Sequence, residues 1–201
     1  MLAAINSKQG ISYDEYIQLI DRLIAEGKTT GANQSESYLE YTRINQQRRK
    51  RLDKTTIIEA ELTNHLQRID RKWQWMVITE AWCGDAAQNV PVIAKMASVS
   101  DNISLKLYLR DENPELMDAY LTNGSRSIPK LICFDSKSMR ELGVWGPRPL
   151  PAQQMVMRYK KDPQVPYKEF VKDVQLWYAK DKTQSIQEEF KELVLNWLTI
   201  K

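Results

Sequence analysis

The sequence predicts an α/β fold in which a central mixed β-sheet is flanked by helices, with helical extensions at both ends. The middle of the chain alternates apolar, strand-like runs with helical periodicity in the order β-α-β-α-β-β-α. A strand–helix–strand start implies a right-handed crossover between parallel strands, and the later β-β step adds an antiparallel strand. We therefore expect an N-terminal helical extension over residues 1–72, the mixed sheet over 73–160 and a C-terminal helical extension over 161–201.

The N-terminal extension is predicted to contain three helices. Ser12 and Glu15 have the spacing of a capping box, in which each side chain satisfies a free backbone N–H, and apolar residues at helical spacing follow. A second helix is expected over about 35–51. Thr56 and Glu59 have the same capping-box spacing, so we expect the third helix to begin there.

The sheet region and the tail are predicted from the periodicity of their apolar residues. Short β-branched or alternating runs predict strands over 75–79, 103–109, 129–134 and 139–145. Helical spacing predicts helices over 86–98, from 114 to the turn at Asn123-Gly124, and over 151–159. The tail over 167–200 is predicted as one long helix, or as two helices broken near Thr183.

Composition and charge limit the class of protein. Hydrophobic residues make up 42% of the 201 residues and charged residues 27%, which is ordinary for a globular chain. No apolar run approaches the ~20 residues of a membrane helix, and residues 1–10 lack a signal-peptide pattern, so we expect a cytoplasmic protein with no membrane partner. The net charge of +3 is small. The basic run at 48–51 is typical of a solvated helix surface, so we expect no nucleic-acid partner.

Two cysteines and one histidine restrict the chemistry further. Cys83 and Cys133 are too few for a disulfide framework, and His65 cannot complete a zinc site of about four ligands. We therefore expect no metal and no cofactor. Cys133 lies in an apolar strand, which favours an inert core residue, and His65 is interpreted as a surface or packing residue.

The candidate reactive centre is the segment Ala81-Trp82-Cys83-Gly84-Asp85-Ala86, which follows the first predicted strand. Cys83 lies where a helix begins, and the helix dipole and free N–H groups there favour the thiolate. With Gly84 leaving the sulfur approachable, we expect Cys83 to have a lowered pKa. Asp85 either stabilises the helix N-terminus or opposes the thiolate by its charge. Trp82 either shields the sulfur or is a partly exposed apolar residue.

This segment is similar to the thioredoxin active site, Trp-Cys-Gly-x-Cys. Three other features resemble that family: Pro91 within the following helix, the Ser127-Ile128-Pro129 run where the family has a cis-proline facing the sulfur, and Gly146 after the fourth strand. The resemblance covers residues 73–159 and is closest to bacterial thioredoxin-like proteins with extra terminal helices. It implies the thioredoxin fold with N-terminal and C-terminal helical extensions.

The departures from the thioredoxin pattern concern the second half of dithiol exchange. Ala86 occupies the place of the resolving cysteine, so the intramolecular disulfide cannot form there. Val77 occupies the place of the family's buried Asp, which resembles a proton acceptor for that missing thiol. The resemblance then implies a single-thiol (monothiol) site with Cys83 as nucleophile. The residues expected to contact the substrate are Trp82, Gly84, Asp85, Ala86, Ile128 and Pro129.

Two functions from different classes follow. The first is a monothiol disulfide oxidoreductase that acts on a protein or small-molecule disulfide and is regenerated by an external thiol reductant. The second is a non-catalytic module whose groove beside Pro129 holds an extended segment of a partner. A third possibility, a glutaredoxin-like protein sharing an iron–sulfur cluster, fits Cys83-Gly84 but not Trp82, Asp85 or Ala86. An accessible, thiolate-prone Cys83 favours the enzyme, whereas a covered thiol favours the module.

Overall fold

The computed structural model describes residues 10–200. Its strands are β1 (Trp73–Thr79), β2 (Ile103–Leu109), β3 (Lys130–Asp135) and β4 (Glu141–Trp145). Its α-helices are α1 (Tyr13–Ala25), α2 (Glu36–Thr55), α3 (Ala60–Gln67), α4 (Gly84–Ala97), α5 (Pro114–Ala119), α6 (Leu150–Lys161), α7 (Tyr167–Asp181) and α8 (Gln184–Thr199). A short 3-10 helix, Arg110–Glu112, follows β2.

The four strands form one mixed sheet in the order β2-β1-β3-β4. β1 pairs in parallel with β2 and antiparallel with β3, and β3 pairs antiparallel with β4. Val77 lies at the centre, opposite Leu107 on one side and Leu131 on the other. The predicted α/β fold with a mixed sheet and flanking helices is confirmed.

The core joins the C-terminal extension directly to the sheet. On α8, Phe190 lies 5.5 Å from the ring of Trp75 and Trp197 lies 6.0 Å from that of Trp73. Phe190 also packs against Trp145 of β4, at 5.5 Å between ring centroids. Such aromatic pairs add about 0.5–1.5 kcal/mol each beyond the area they bury. α8 is therefore an integral layer of the fold.

Helix and strand ends differ from the prediction at several places. The capping box at Ser12 and Glu15 is present. The one predicted at Thr56 and Glu59 is wrong: α2 continues to Thr55, and the Thr56 N–H donates to Leu52 O at its C-terminal end. Glu59 is instead the N-cap residue of α3, and among the described residues its side chain makes no capping hydrogen bond.

The later boundaries have backbone causes. β4 begins two residues after the predicted start because Met139 has a left-handed φ of 56°. The tail is two helices, because Lys182 and Thr183 have φ values of 51° and 69°. α5 ends at Ala119, short of the predicted turn.

Within the described residues, no helix is long and apolar enough to cross a membrane. The expectation for the N-terminus falls largely on residues 1–9, which lie outside the described ones.

Candidate functional site

Cys83 lies at the junction between the central strand and α4. It is the N-cap residue of α4, and its Sγ accepts a hydrogen bond from the Ala86 N–H at 3.4 Å. The thiol donates to the carbonyl oxygen of Ile128, also at 3.4 Å. Although it lies 45 residues away in sequence, Ile128 thus contacts the sulfur.

The peptide bond between Ile128 and Pro129 is cis, as the family resemblance implies. Gly146 lies against this segment with a φ of 109°, and a Cβ at that position would collide with the carbonyl oxygen of Pro129. Gly146 is followed by a second cis peptide bond, to Pro147. The two proline turns thus pack together beside Cys83.

The thiol is covered rather than open. Cys83 is only 9% exposed. A Cβ on Gly84 would lie 3.0 Å from Gln175 Nε2 of α7 and 3.6 Å from Arg48 Nη1 of α2. The prediction that Gly84 leaves the sulfur approachable is wrong for this conformation, because Cys83 is buried and helices from both extensions pack against the adjacent Gly84.

Asp85 connects three parts of the chain around Cys83. Its Oδ2 accepts hydrogen bonds from Arg148 Nη2 at 2.6 Å and Nε at 3.0 Å. Its Oδ1 accepts from the hydroxyl of Tyr178, on α7, at 2.8 Å. The Asp85–Arg148 pair is largely enclosed, with side chains 15% and 14% exposed. Asn89 on α4 donates to the Tyr178 hydroxyl at 2.9 Å and completes the network.

A strand–thiol–helix unit with a cis-proline against the sulfur is the arrangement of thioredoxin. The family model described as thioredoxin matches residues 31–164, more than half of the chain. The chain belongs to the thioredoxin family. The match begins before α2, so the family region includes helices that precede residue 73.

Two solved structures are similar to this thioredoxin-family chain over nearly its whole length. A protein of unknown function from Pseudomonas aeruginosa has a TM-score of 0.55 and 18% identity, covering 92% of this chain and 97% of the other. An HIV epitope scaffold has a TM-score of 0.54 and 17% identity, covering 92% of this chain and 98% of the other. At these identities the similarity shows the fold alone. No curated protein matches the chain.

The electrostatics of this thioredoxin-type site favour the neutral thiol. Burial is the largest cause, the negative charge of Asp85 is the next, and together they raise the pKa of Cys83 to about 12. The Ala86 N–H and the Arg148 guanidinium act in the opposite direction but do not offset burial. The predicted lowering of the pKa is therefore wrong for the covered site. Of the two roles left open for Asp85, opposing the thiolate by its charge contributes to this raised pKa.

The N-terminal extension holds the turn before Cys83. The backbone of Ala81 is bound on both sides: Thr30 Oγ1 accepts from its N–H at 2.9 Å, and Asn45 Nδ2 donates to its carbonyl at 3.0 Å. Trp82 packs against Tyr38 at 5.1 Å, and the Arg110 guanidinium lies 4.6 Å from its ring centroid. Trp82 thus packs against helix α2 through Tyr38 and makes a cation–π contact with Arg110.

The positions that depart from thioredoxin are buried. Ala86 is 3% exposed and borders a cavity of about 20 Å³, and Val77 is fully buried. Cys133 is also fully buried, opposite Trp75 in the sheet, and burial raises its pKa. Both cysteines are free. Within the described part of the chain, no cluster of three or more His, Cys, Asp or Glu side chains could hold a metal ion.

Three residues of the site were not predicted from the sequence: Arg148, Gln175 and Tyr178. Arg148 had one local signal, its place between two prolines in a rigid turn after β4. Gln175 and Tyr178 belong to an amphipathic helix with no motif of its own. Their role is visible only because α7 packs beside α4.

Proposed function

We propose that this thioredoxin-family chain is a monothiol disulfide oxidoreductase with Cys83 as its nucleophile. The Cys83 thiolate attacks one sulfur of a disulfide R–S–S–R′, forming the mixed disulfide Cys83–S–S–R and releasing R′–S⁻. An external thiol R″–SH then loses its proton and attacks the R sulfur. It forms R–S–S–R″ and returns the Cys83 thiolate. The released R′–S⁻ takes up that proton, so one cycle exchanges R″–SH for R′–SH. A second R″–SH that attacks R–S–S–R″ completes the two-electron reduction, giving R–SH and R″–S–S–R″.

The observation that carries the proposal is the placement of Sγ between the Ala86 N–H and the Ile128 carbonyl, each at 3.4 Å. The free amide at the start of α4 offers a hydrogen bond and a positive dipole end to a thiolate. The Ile128 carbonyl, next to cis-Pro129, offers backbone to an extended substrate. Ala86 leaves the mixed disulfide to be resolved by an external thiol, and two free cysteines fit a reducing compartment such as the cytoplasm.

A specific observation favours the second candidate, a non-catalytic binding module. Cys83 is 9% exposed, and burial raises its pKa to about 12, so the thiolate is rare in the covered form. A chain that stays in this form binds partners through its surface and performs no exchange. The two functions therefore differ in whether the folded protein ever exposes the sulfur.

The test is disulfide exchange by the folded chain in a Cys133→Ser background. The protein is incubated with glutathione disulfide or an aromatic disulfide, and the adduct is measured by intact mass. We expect one adduct that is absent from a Cys83→Ser, Cys133→Ser chain and is removed by added thiol. An adduct that forms only in denaturant would overturn the enzyme and support the binding module.

A further inference from the structure

Helix α7, which packs against the first turns of α4 beside Cys83, is attached to α4 by polar side chains. Gln88 Nε2 on α4 donates to Gln175 Oε1 on α7 at 2.8 Å. The Tyr178 hydroxyl, also on α7, donates to Asp85 Oδ1 at 2.8 Å and accepts from Asn89 at 2.9 Å. When helices separate, water can replace hydrogen bonds of this kind, although a bond to a charged group such as Asp85 still favours the closed form. The contact between these helices is therefore of a type that can open.

α7 is also held less firmly than its neighbour α8. Of its 15 residues, Val174 and Tyr178 are buried. By contrast, α8 buries five residues in the core: Ile186, Gln187, Phe190, Val194 and Trp197. The two helices meet at Lys182 and Thr183, whose φ values of 51° and 69° lie in the left-handed region that non-glycine residues rarely adopt. The five buried residues of α8 hold it on the sheet independently of α7.

Asp85 is the side chain on which the closed arrangement converges. Both carboxylate oxygens are bound, Oδ2 by Arg148 and Oδ1 by Tyr178. These partners lie 63 and 93 residues away in sequence, in the turn after β4 and in α7. Asp85 itself is two residues from Cys83. One carboxylate thus joins the thiol's own helix to the helix that covers it.

We infer that Asp85 is a positioning residue whose carboxylate holds α7 over Cys83, so that the thiol reacts when α7 releases. This inference rests on the proposed function, because it assigns the closed and open forms of that same site. Asp85 controls access through Tyr178 on Oδ1, while Arg148 continues to bind Oδ2 after release. Opening removes the covering side chains, which lowers the desolvation of the thiolate.

The first test compares alkylation rates of Cys83 by iodoacetamide at pH 7, in the Cys133→Ser background. Asp85→Asn and Tyr178→Phe should each raise the rate about tenfold or more, the scale of a lost hydrogen bond to a charged group. Asp118→Asn and Tyr120→Phe are matched controls, because Arg126 binds Asp118 through two nitrogens and Tyr120 donates to a glutamate elsewhere on the surface. These controls should stay within about twofold of the parent.

The Tyr178→Phe variant separates a lid from a simple charge effect, because it keeps the Asp85 carboxylate. It should raise the alkylation rate across the whole pH profile. Asp85→Asn should also shift the profile to lower pH by removing a negative charge near the thiol. A faster reaction with Asp85→Asn but an unchanged one with Tyr178→Phe would overturn the lid.

Amide hydrogen exchange of the unmodified protein tests opening without any substitution. Amides of α7 should exchange faster than those of α8, because α7 releases while α8 stays in the core. Equal protection of the two helices would overturn the inference even if variants fail to fold. Exposure of Cys83 without any mixed disulfide would instead overturn the proposed enzyme and leave the lid standing.

Discussion

Replacing Gly146 with alanine tests how the proline turns support the thiol site. Gly146 has a φ of 109°, a conformation that an L side chain rarely adopts. An added Cβ would also meet the carbonyl oxygen of Pro129 well inside van der Waals contact, with Pro129 C at 3.3 Å and Lys130 Cα at 3.5 Å. All of these neighbours are backbone atoms, so a side-chain rotation cannot relieve the collision.

The expected loss is the sum of two effects. A side chain held at an unfavourable positive φ costs roughly 1–3 kcal/mol. Inserting a carbon into a packed site costs roughly another 1–3 kcal/mol. Gly146→Ala should therefore lower the free energy of unfolding by about 2–6 kcal/mol, a large share of the stability of an ordinary domain.

Gly124→Ala is the matched control, measured by urea unfolding beside the Gly146 variant. Gly124 has a φ of 73°, but no described atom lies within 4 Å of the point that an added Cβ would occupy, so the strain acts alone at roughly 1–2 kcal/mol. Equal losses at Gly124 and Gly146 would show that contact with Pro129 contributes nothing, which would refute the reasoning.

Two further predictions concern the thiol position. Ala86→Cys, in the Cys133→Ser background, restores the second thiol of a thioredoxin motif beside a cavity of about 20 Å³, and oxidation should give an intramolecular disulfide with Cys83. Two free thiols after oxidation, by titration in denaturant, would contradict it. Burial raises the pKa of Cys83 to about 12 from an ordinary value near 9, so between these values the unfolded chain loses the thiol proton and the folded chain keeps it. The stability contributed by the neutral buried thiol is therefore complete below about pH 9 and is lost as the pH rises toward 12. Between pH 7 and pH 10 the parent should therefore lose about 1–2 kcal/mol more than Cys83→Ser in urea unfolding; parallel losses would contradict it.

The order and type of the elements were predictable from the sequence because they depend on local patterns. Alternating or uniformly apolar runs located the four strands, and the Ser12–Glu15 spacing located the start of α1. The Thr56–Glu59 pair has the same spacing, but the capping box predicted there is absent. Helix α2 continues to Thr55, so Thr56 ends that helix and does not begin the next one. A capping motif is a local signal, and packing along a long helix overrides it.

The candidate site divides in the same way. The sequence by itself determined that a lone thiol follows a strand, begins a helix and lacks a resolving partner at Ala86. Only the tertiary structure decided that this thiol is buried and that burial raises its pKa, because elements distant in sequence pack around it. Tyr178, for example, reaches Asp85 across 93 residues. The pattern of an amphipathic helix predicts that one of its faces will be buried, but it does not predict which part of the protein that face will pack against. Desolvation depends on which groups arrive from elsewhere in the chain, and the chemistry of Cys83 therefore follows from the fold.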